Sequence, residues 1–181
     1  MDHVGSVDVH AWRTLYYFFG LVPPPGFGLT QLVTYAFLHG DWAHLLFNSL
    51  GLWIFGREVE RSWGGRRIAV YYFVCVIGAA LFQLVVGIME HSTVPVVGAS
   101  GGVFGILLAF GMLFPNRTIL LLIPPIPMKA KWAVILFGVL ELLFGVTNTF
   151  ASIAHFAHLG GMVFGFFLIL YWRQRRKAAS R

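Results

Sequence analysis

Two short stretches hold the residue types that could do chemistry together. Val97-Gly98-Ala99-Ser100-Gly101-Gly102-Val103-Phe104-Gly105 sets a serine among small residues inside a long apolar run. Ala157-His158-Leu159-Gly160-Gly161-Met162-Val163-Phe164-Gly165 sets a histidine inside another. A serine hydroxyl is a weak nucleophile until a neighbouring base takes its proton, and an imidazole is a common base for that task. Backbone N–H groups at a helix start point at any negative charge developing on a substrate oxygen. Nucleophile, base and glycines on two apolar segments therefore suggest a hydrolase working inside a bilayer. Each piece also has a plainer meaning: Gly98 to Gly105 could be a packing face of small residues, and His158 a structural histidine bonded to a carbonyl. His158, Gly161 and Gly165 share one helix face, as do Gly101 and Gly105. Such faces let two backbones approach closely, as a direct Ser100–His158 hydrogen bond requires. Ionisable residues inside a membrane are functional by default, which favours the chemical reading. His155, one turn earlier, is the competing base, with no glycine three residues on.

A third group is His39-Gly40-Asp41-Trp42-Ala43-His44-Leu45-Leu46-Phe47-Asn48. His44 and Asn48 lie one turn apart on one helix face. Both can donate a side-chain hydrogen bond, which suits an oxyanion hole. The spacing fits two polar residues stabilising a helix pair equally well. Asp41 is placed to cap that helix. His39, His44, His155 and His158 could gather on one side. However, no His-Glu-x-x-His signature is present and no carboxylate completes either cluster, so neither a metal nor another cofactor is expected. Glu141 stands in the middle of an apolar run, where it is costly unless paired or protonated. It either bonds to another helix or lines a cavity.

These residues must be positioned by membrane elements. Of 181 residues, 58% are hydrophobic and 11% charged, and the mean hydropathy is +0.78. That balance excludes an ordinary soluble domain and indicates a polytopic membrane protein. The single Cys75 excludes a disulfide within the chain. The net charge of +6 sits in clusters flanking apolar runs, a pattern of membrane topology rather than of nucleic-acid binding. The start, Met1-Asp2-His3-Val4, lacks the basic region of a signal peptide.

Five runs approach the ~20 residues a transmembrane helix needs: Trp42 to Trp63, Ile68 to Met89, Val94 to Phe114, Trp132 to Phe150 and Ala154 to Trp172. The expected architecture is an all-α, five-span bundle. Residues 1–41 form an N-terminal interfacial loop region, 42–172 the transmembrane core and 173–181 a basic cytoplasmic tail. Trp12 to Phe37 reads as a loop at the interface, interrupted by Pro23-Pro24-Pro25-Gly26. Arg57, Arg61, Arg66 and Arg67, then Arg117, Lys129 and Lys131, then Arg173, Arg175, Arg176, Lys177 and Arg181 fall on one face. The positive-inside rule makes that face cytoplasmic, with the C-terminus inside. All seven histidines fall toward the other side. A helix from Ser100 to Phe114 would span only ~22 Å of a ~30 Å hydrocarbon core. Ser100 would then be submerged below a non-helical descent, Val94-Pro95-Val96-Val97-Gly98. Such backbone must be packed in protein or line a water-filled cavity, and a cavity opening outward is expected above Ser100.

Together these elements resemble the rhomboid family of intramembrane serine proteases, of the bacterial type. The resemblance rests on His39, His44 and Asn48, on Gly98-Ala99-Ser100-Gly101, and on Ala157-His158-x-x-Gly161-x3-Gly165, in that order. It covers the chain from about Leu29 onward. It implies that Ser100 is the nucleophile and His158 the general base, a dyad with no third acidic member. The Ser100 N–H, His44 and Asn48 would bind the oxyanion, with His39, Gly98, Gly101, Phe104, Gly161 and Gly165 in support. The resemblance implies cleavage of transmembrane protein substrates near the outer membrane face, in contact with lipid and without a cofactor. A multi-pass protein of a bacterial inner membrane is expected. A non-proteolytic relative that holds or escorts membrane proteins is the alternative. The chain departs from the family at three places. By the resemblance a first helix is expected before Asp8 that this sequence does not show, Thr30-Gln31 stand where many members carry Trp-Arg, and Phe104 replaces a tyrosine that often stacks on the catalytic histidine.

Overall fold

The computed structural model describes residues 9–121, 125–149 and 154–179. Expectations about residues 1–8, Phe150 and the last two residues lie outside the described residues. The regular secondary structure of the described residues is helical, as the apolar runs require. The exception is a small antiparallel hairpin of β1 (Thr118–Leu120) and β2 (Pro127–Lys129), with Ile119 opposite Met128.

The N-terminal region is more ordered than a loop. α1 (Val9–Phe19) is an 11-residue helix free of glycine and proline, which is why it forms. It stops at Gly20, next to the proline turn. α2 (Gln31–Thr34) and a 3₁₀ turn, Tyr35–Phe37, follow. Buried Gln31 ties these pieces together. Its Oε1 accepts from the N–H groups of Val22 and Gly28, both at 3.2 Å. Its Nε2 donates to the carbonyls of Tyr17 at 3.0 Å and Phe18 at 3.3 Å. Thr34 Oγ1 donates to Phe19 O at 2.7 Å, and Tyr16 Oη donates to His39 O at 2.9 Å. Gln31 thus supports the segment at a position where a Trp-Arg pair was expected by resemblance.

The first apolar run is one continuous helix in three parts. α3 (Trp42–Gly51) passes through a π-helical turn, Leu52–Gly56, into α4 (Arg57–Trp63). Gly64, at φ +82°, breaks the chain before α5 (Gly65–Met89). α6 (Ser100–Leu113), α7 (Ala130–Thr147) and α8 (His155–Ala179) complete the bundle. α8 continues through most of the basic segment that was expected as a tail. It packs against α5, α6 and α7 together, and α3 reaches α6. Val59, Tyr71, Cys75, Ile106, Ala109, Phe110, Ala130 and Ile169 form the main core cluster, tied by Tyr71 Oη donating to Gly105 O at 2.9 Å.

Outer faces remain apolar: Val139, Leu142, Leu143 and Val146 of α7 are all exposed. A contiguous apolar face without cover suits a lipid solvent and would be a liability in water. Among the described residues α5, α7 and α8 are long and apolar enough to cross a membrane. The chain is an integral membrane protein.

Candidate active site

The site is built where α3, α6, α7 and α8 meet at one end of the bundle. α6 begins at Ser100, as its glycine-rich lead-in requires. The descent before it runs from an exposed Val94 to a buried Gly98 and is tied to the N-terminal segment by backbone hydrogen bonds. Leu21 and Val96 exchange two backbone hydrogen bonds, each 2.9 Å, and Gly98 N donates to Tyr35 O at 2.9 Å. Tyr35 Oη in turn donates to Val76 O at 2.8 Å. This satisfies backbone groups that lipid could not. The clefts around Trp63, Arg67 and Trp172 lie among residues remote in the fold from Ser100.

Ser100 Oγ and His158 Nε2 are 2.7 Å apart, a hydrogen bond between two helices joining residues 58 positions apart. The glycine faces permit it. A Cβ on Gly161 would lie 2.7 Å from the Gly101 carbonyl carbon and closer still to its oxygen, and one on Gly105 would overlap Cys75. One on Gly165 would meet the Tyr71 ring, whose Cζ lies 2.9 Å away. The two backbones therefore touch beside the serine and histidine. The Phe104 ring stacks on His158 with centroids 4.3 Å apart and planes at 5°, fixing the imidazole from its face.

His44 and Asn48 sit on α3 beside this pair. Asp41 caps α3, its Oδ1 accepting from His44 N at 2.8 Å. The His44 ring lies over Gly98: a Cβ there would be 2.6 Å from its Cε1 and Nε2. Gly98 adopts φ +124°, a conformation that other residues rarely reach. Asn48 is buried, and one of its amide N–H groups donates to His44 O at 2.9 Å. An amide carries two such donors, which leaves the other for a ligand. His39 packs edge-on against His44 with centroids 5.1 Å apart. Burial pushes the His39 imidazole below its ordinary range, and neighbouring His44 pushes it further in the same direction.

Glu141 is the residue whose partners the sequence did not disclose. Its Oε2 lies 2.7 Å from His155 Nδ1 in hydrogen-bonding geometry and 2.9 Å from His158 Nδ1. The second contact has the length of a hydrogen bond but not its direction, and His158 Nδ1 has no hydrogen-bond partner among the described residues. The expectation that no carboxylate completes the histidine cluster is therefore corrected. α7 and α8 form an antiparallel pair around a short connection, so a carboxylate two turns before it faces histidines in the first turn after it. His155 is spent on this contact and on Thr149 O, 2.9 Å from its Nε2, while His158 is the histidine at Ser100.

The chain resembles known proteins over most of its length. Residues 27–175 match the profile of the Rhomboid domain. The chain is 33% identical over 153 residues to "Rhomboid protein 1, mitochondrial" of Saccharomyces cerevisiae, covering 83% of this chain and 43% of that protein. It is 28% identical over 168 residues to "RHOMBOID-like protein 12, mitochondrial" of Arabidopsis thaliana, covering 84% and 48%. Against "Rhomboid protease GluP" of Bacillus subtilis it is 33% identical over 138 residues, covering 76% and 25%. The chain thus spans less than half of each of these relatives. The matched span of residues 27–175 covers most of the chain, and the chain belongs to the rhomboid family.

Proposed function

We propose that the chain is an intramembrane serine endopeptidase that cleaves transmembrane protein substrates. Ser100 is the nucleophile and His158 the general base. The observation that carries this reading is the 2.7 Å contact between Ser100 Oγ and His158 Nε2, at the start of a helix with apolar walls. His158 takes the hydroxyl proton as Oγ attacks the scissile carbonyl, then returns it to the leaving amine. The developing oxyanion is received by the Ser100 N–H at the α6 terminus, the remaining Asn48 N–H and the His44 ring. His39 supports His44 from its edge, and Gly98 leaves room for that ring beside the serine. The basic clusters are proposed to face the cytoplasm with the C-terminus, which puts Ser100 toward the outer face. A bacterial inner membrane fits this orientation, and the mitochondrial relatives make an organelle membrane a second setting.

The test is cleavage of a model transmembrane substrate in proteoliposomes. Ser100→Ala should lose turnover by several orders of magnitude, His158→Ala should match it, and the double variant should be no worse, since the two act as a unit. A serine-directed phosphonate should label the wild type and fail on Ser100→Ala. Normal turnover in well-folded Ser100→Ala protein would eliminate the mechanism. Retention of both reacting residues argues against an escort role without proteolysis.

A further inference from the structure

The proposed dyad leaves three features of α7 and α8 without a task. A carboxylate is largely buried in an apolar helix, Glu141. A second buried histidine, His155, spends both ring nitrogens on hydrogen bonds inside the protein. The Nδ1 atom of His158, the ring nitrogen not bonded to Ser100, makes no hydrogen bond among the described residues and lies 2.9 Å from Glu141 Oε2.

We infer that Glu141 is a positioning residue that acts through His158, making a Ser100–His158–Glu141 relay with His155 as the brace of its carboxylate. This rests on the protease reading above. The argument is one of proton accounting. A backbone carbonyl only accepts, so the His155 Nε2 contact with Thr149 O needs a proton on Nε2. One further proton lies between His155 Nδ1 and Glu141 Oε2, whichever of the two holds it. The buried pair is then neutral overall, which makes it tolerable in an apolar setting. In either form Oε2 keeps a lone pair within 2.9 Å of His158 Nδ1, though off the hydrogen-bonding axis. A proton on that Nδ1 leaves the Nε2 lone pair free to accept from Ser100 Oγ–H, 2.7 Å away. The opposite tautomer would put a proton on Nε2 and leave the base unable to act. As His158 gains the serine proton, its charge develops beside a carboxylate held from behind by His155. The off-axis 2.9 Å contact is of the kind that aligns when substrate closes the site.

The same three residues have donor types that could hold a metal ion, their ligand atoms lying within 4.8 Å of one another. Their spacing as it stands favours proton sharing. Tetrahedral zinc with bonds of about 2.0–2.1 Å holds its ligand atoms about 3.3 Å apart. The Glu141 contacts of 2.7 Å and 2.9 Å are proton-sharing distances.

Two measurements test the proposal. The first needs no variant: nitrogen NMR of histidine-labelled wild-type protein, with the His158 signals identified by their loss in His158→Gln. The proton should reside on Nδ1; a resting His158 protonated on Nε2 alone overturns the proposal. The second is kinetic. Glu141→Leu should lower kcat by ~10²-fold and Glu141→Gln, which can still accept from Nδ1, by only ~10-fold. KM should stay within about twofold in both. A purely structural ion pair would instead lower thermal stability and expression alike in both variants without this kcat ordering, and that result overturns the proposal. Wild-type kcat in Glu141→Leu, alongside an inactive Ser100→Ala, removes Glu141 from the mechanism and leaves the protease reading standing. Activity in Ser100→Ala removes the protease reading itself.

Discussion

Substitution of Gly161 by alanine tests the geometry of the site without touching a reacting group. Gly161 lies one turn after His158 on α8, against Gly101, the neighbour of Ser100 on α6. A methyl group at Gly161 would stand 2.7 Å from the Gly101 carbonyl carbon and 3.2 Å from its Cα, and would overlap the carbonyl oxygen. All three atoms are backbone, so no side chain can swing aside. Carbon–carbon contacts relax at about 3.5–4.0 Å, and the helices must therefore separate locally by about 1 Å or more. The Ser100 Oγ–His158 Nε2 distance of 2.7 Å would then stretch to about 3.7 Å, outside hydrogen-bonding range.

A displacement of ~1 Å between reacting groups costs ~10²-fold in rate, while overpacking costs about 1–3 kcal/mol of stability. Gly161→Ala should thus fold and insert, melt at lower temperature, and cleave a fluorogenic transmembrane substrate ~10²-fold more slowly. Labelling by a serine-directed phosphonate should slow in parallel, because it depends on the same activated hydroxyl. The matched control is Gly138→Ala on α7, where the new methyl would meet only Met162 Cε at an ordinary 3.6 Å. Helix propensity favours alanine over glycine there by up to ~1 kcal/mol, so this variant should be as stable as wild type or more so, and fully active. Wild-type turnover in Gly161→Ala would show that the helix contact does not set the serine–histidine distance, and would refute the reasoning.

Three further outcomes are expected. Asn48→Ala should lower kcat by ~10²-fold with KM nearly unchanged, as removal of an oxyanion donor does; an equal loss in KM alone would assign Asn48 to substrate binding. Phe104→Tyr should keep the 4.3 Å stack on His158 and near-normal activity, whereas Phe104→Ala should cost ~10-fold, about the worth of one aromatic contact; equal activity in both would remove the stack from the mechanism. Prolonged treatment with a strong chelator should leave turnover unchanged, and a loss restored by zinc would revive a metal role for Glu141, His155 and His158.

The parts of this site that were legible in the sequence are those whose constraints are local. A glycine before and after Ser100 announces a helix start, and glycines at the spacing of one helix face announce close packing. The pairing of the two faces follows because few other partners would tolerate such contact. The five apolar runs likewise mark five helical segments. What was not legible depends on partners in other elements. The 11-residue α1 reads as a loop because it is too short to span and ends at prolines. Its order comes from Tyr16, Thr34 and Gln31, whose partners lie 9 to 23 residues away.

Gln31, a departure from the family's pattern, is tied into its segment by its own hydrogen bonds. An arginine has only donors, whereas an amide offers both donors and acceptors. Gln31 uses both, accepting from two backbone N–H groups and donating to two carbonyls, and so closes the segment without a charge. Glu141 could have been read further than it was. It lies six residues before the end of α7, about 9 Å along the helix, and His158 lies three residues into α8, about 4.5 Å along it. Neighbouring antiparallel helices place such positions at similar depth. A carboxylate and two histidines at one depth in an apolar bundle are costly to leave unpaired, which favours their meeting. The cost of an unpaired polar group in lipid thus makes the polar residues of a membrane bundle readable, since each of them favours a partner inside the protein.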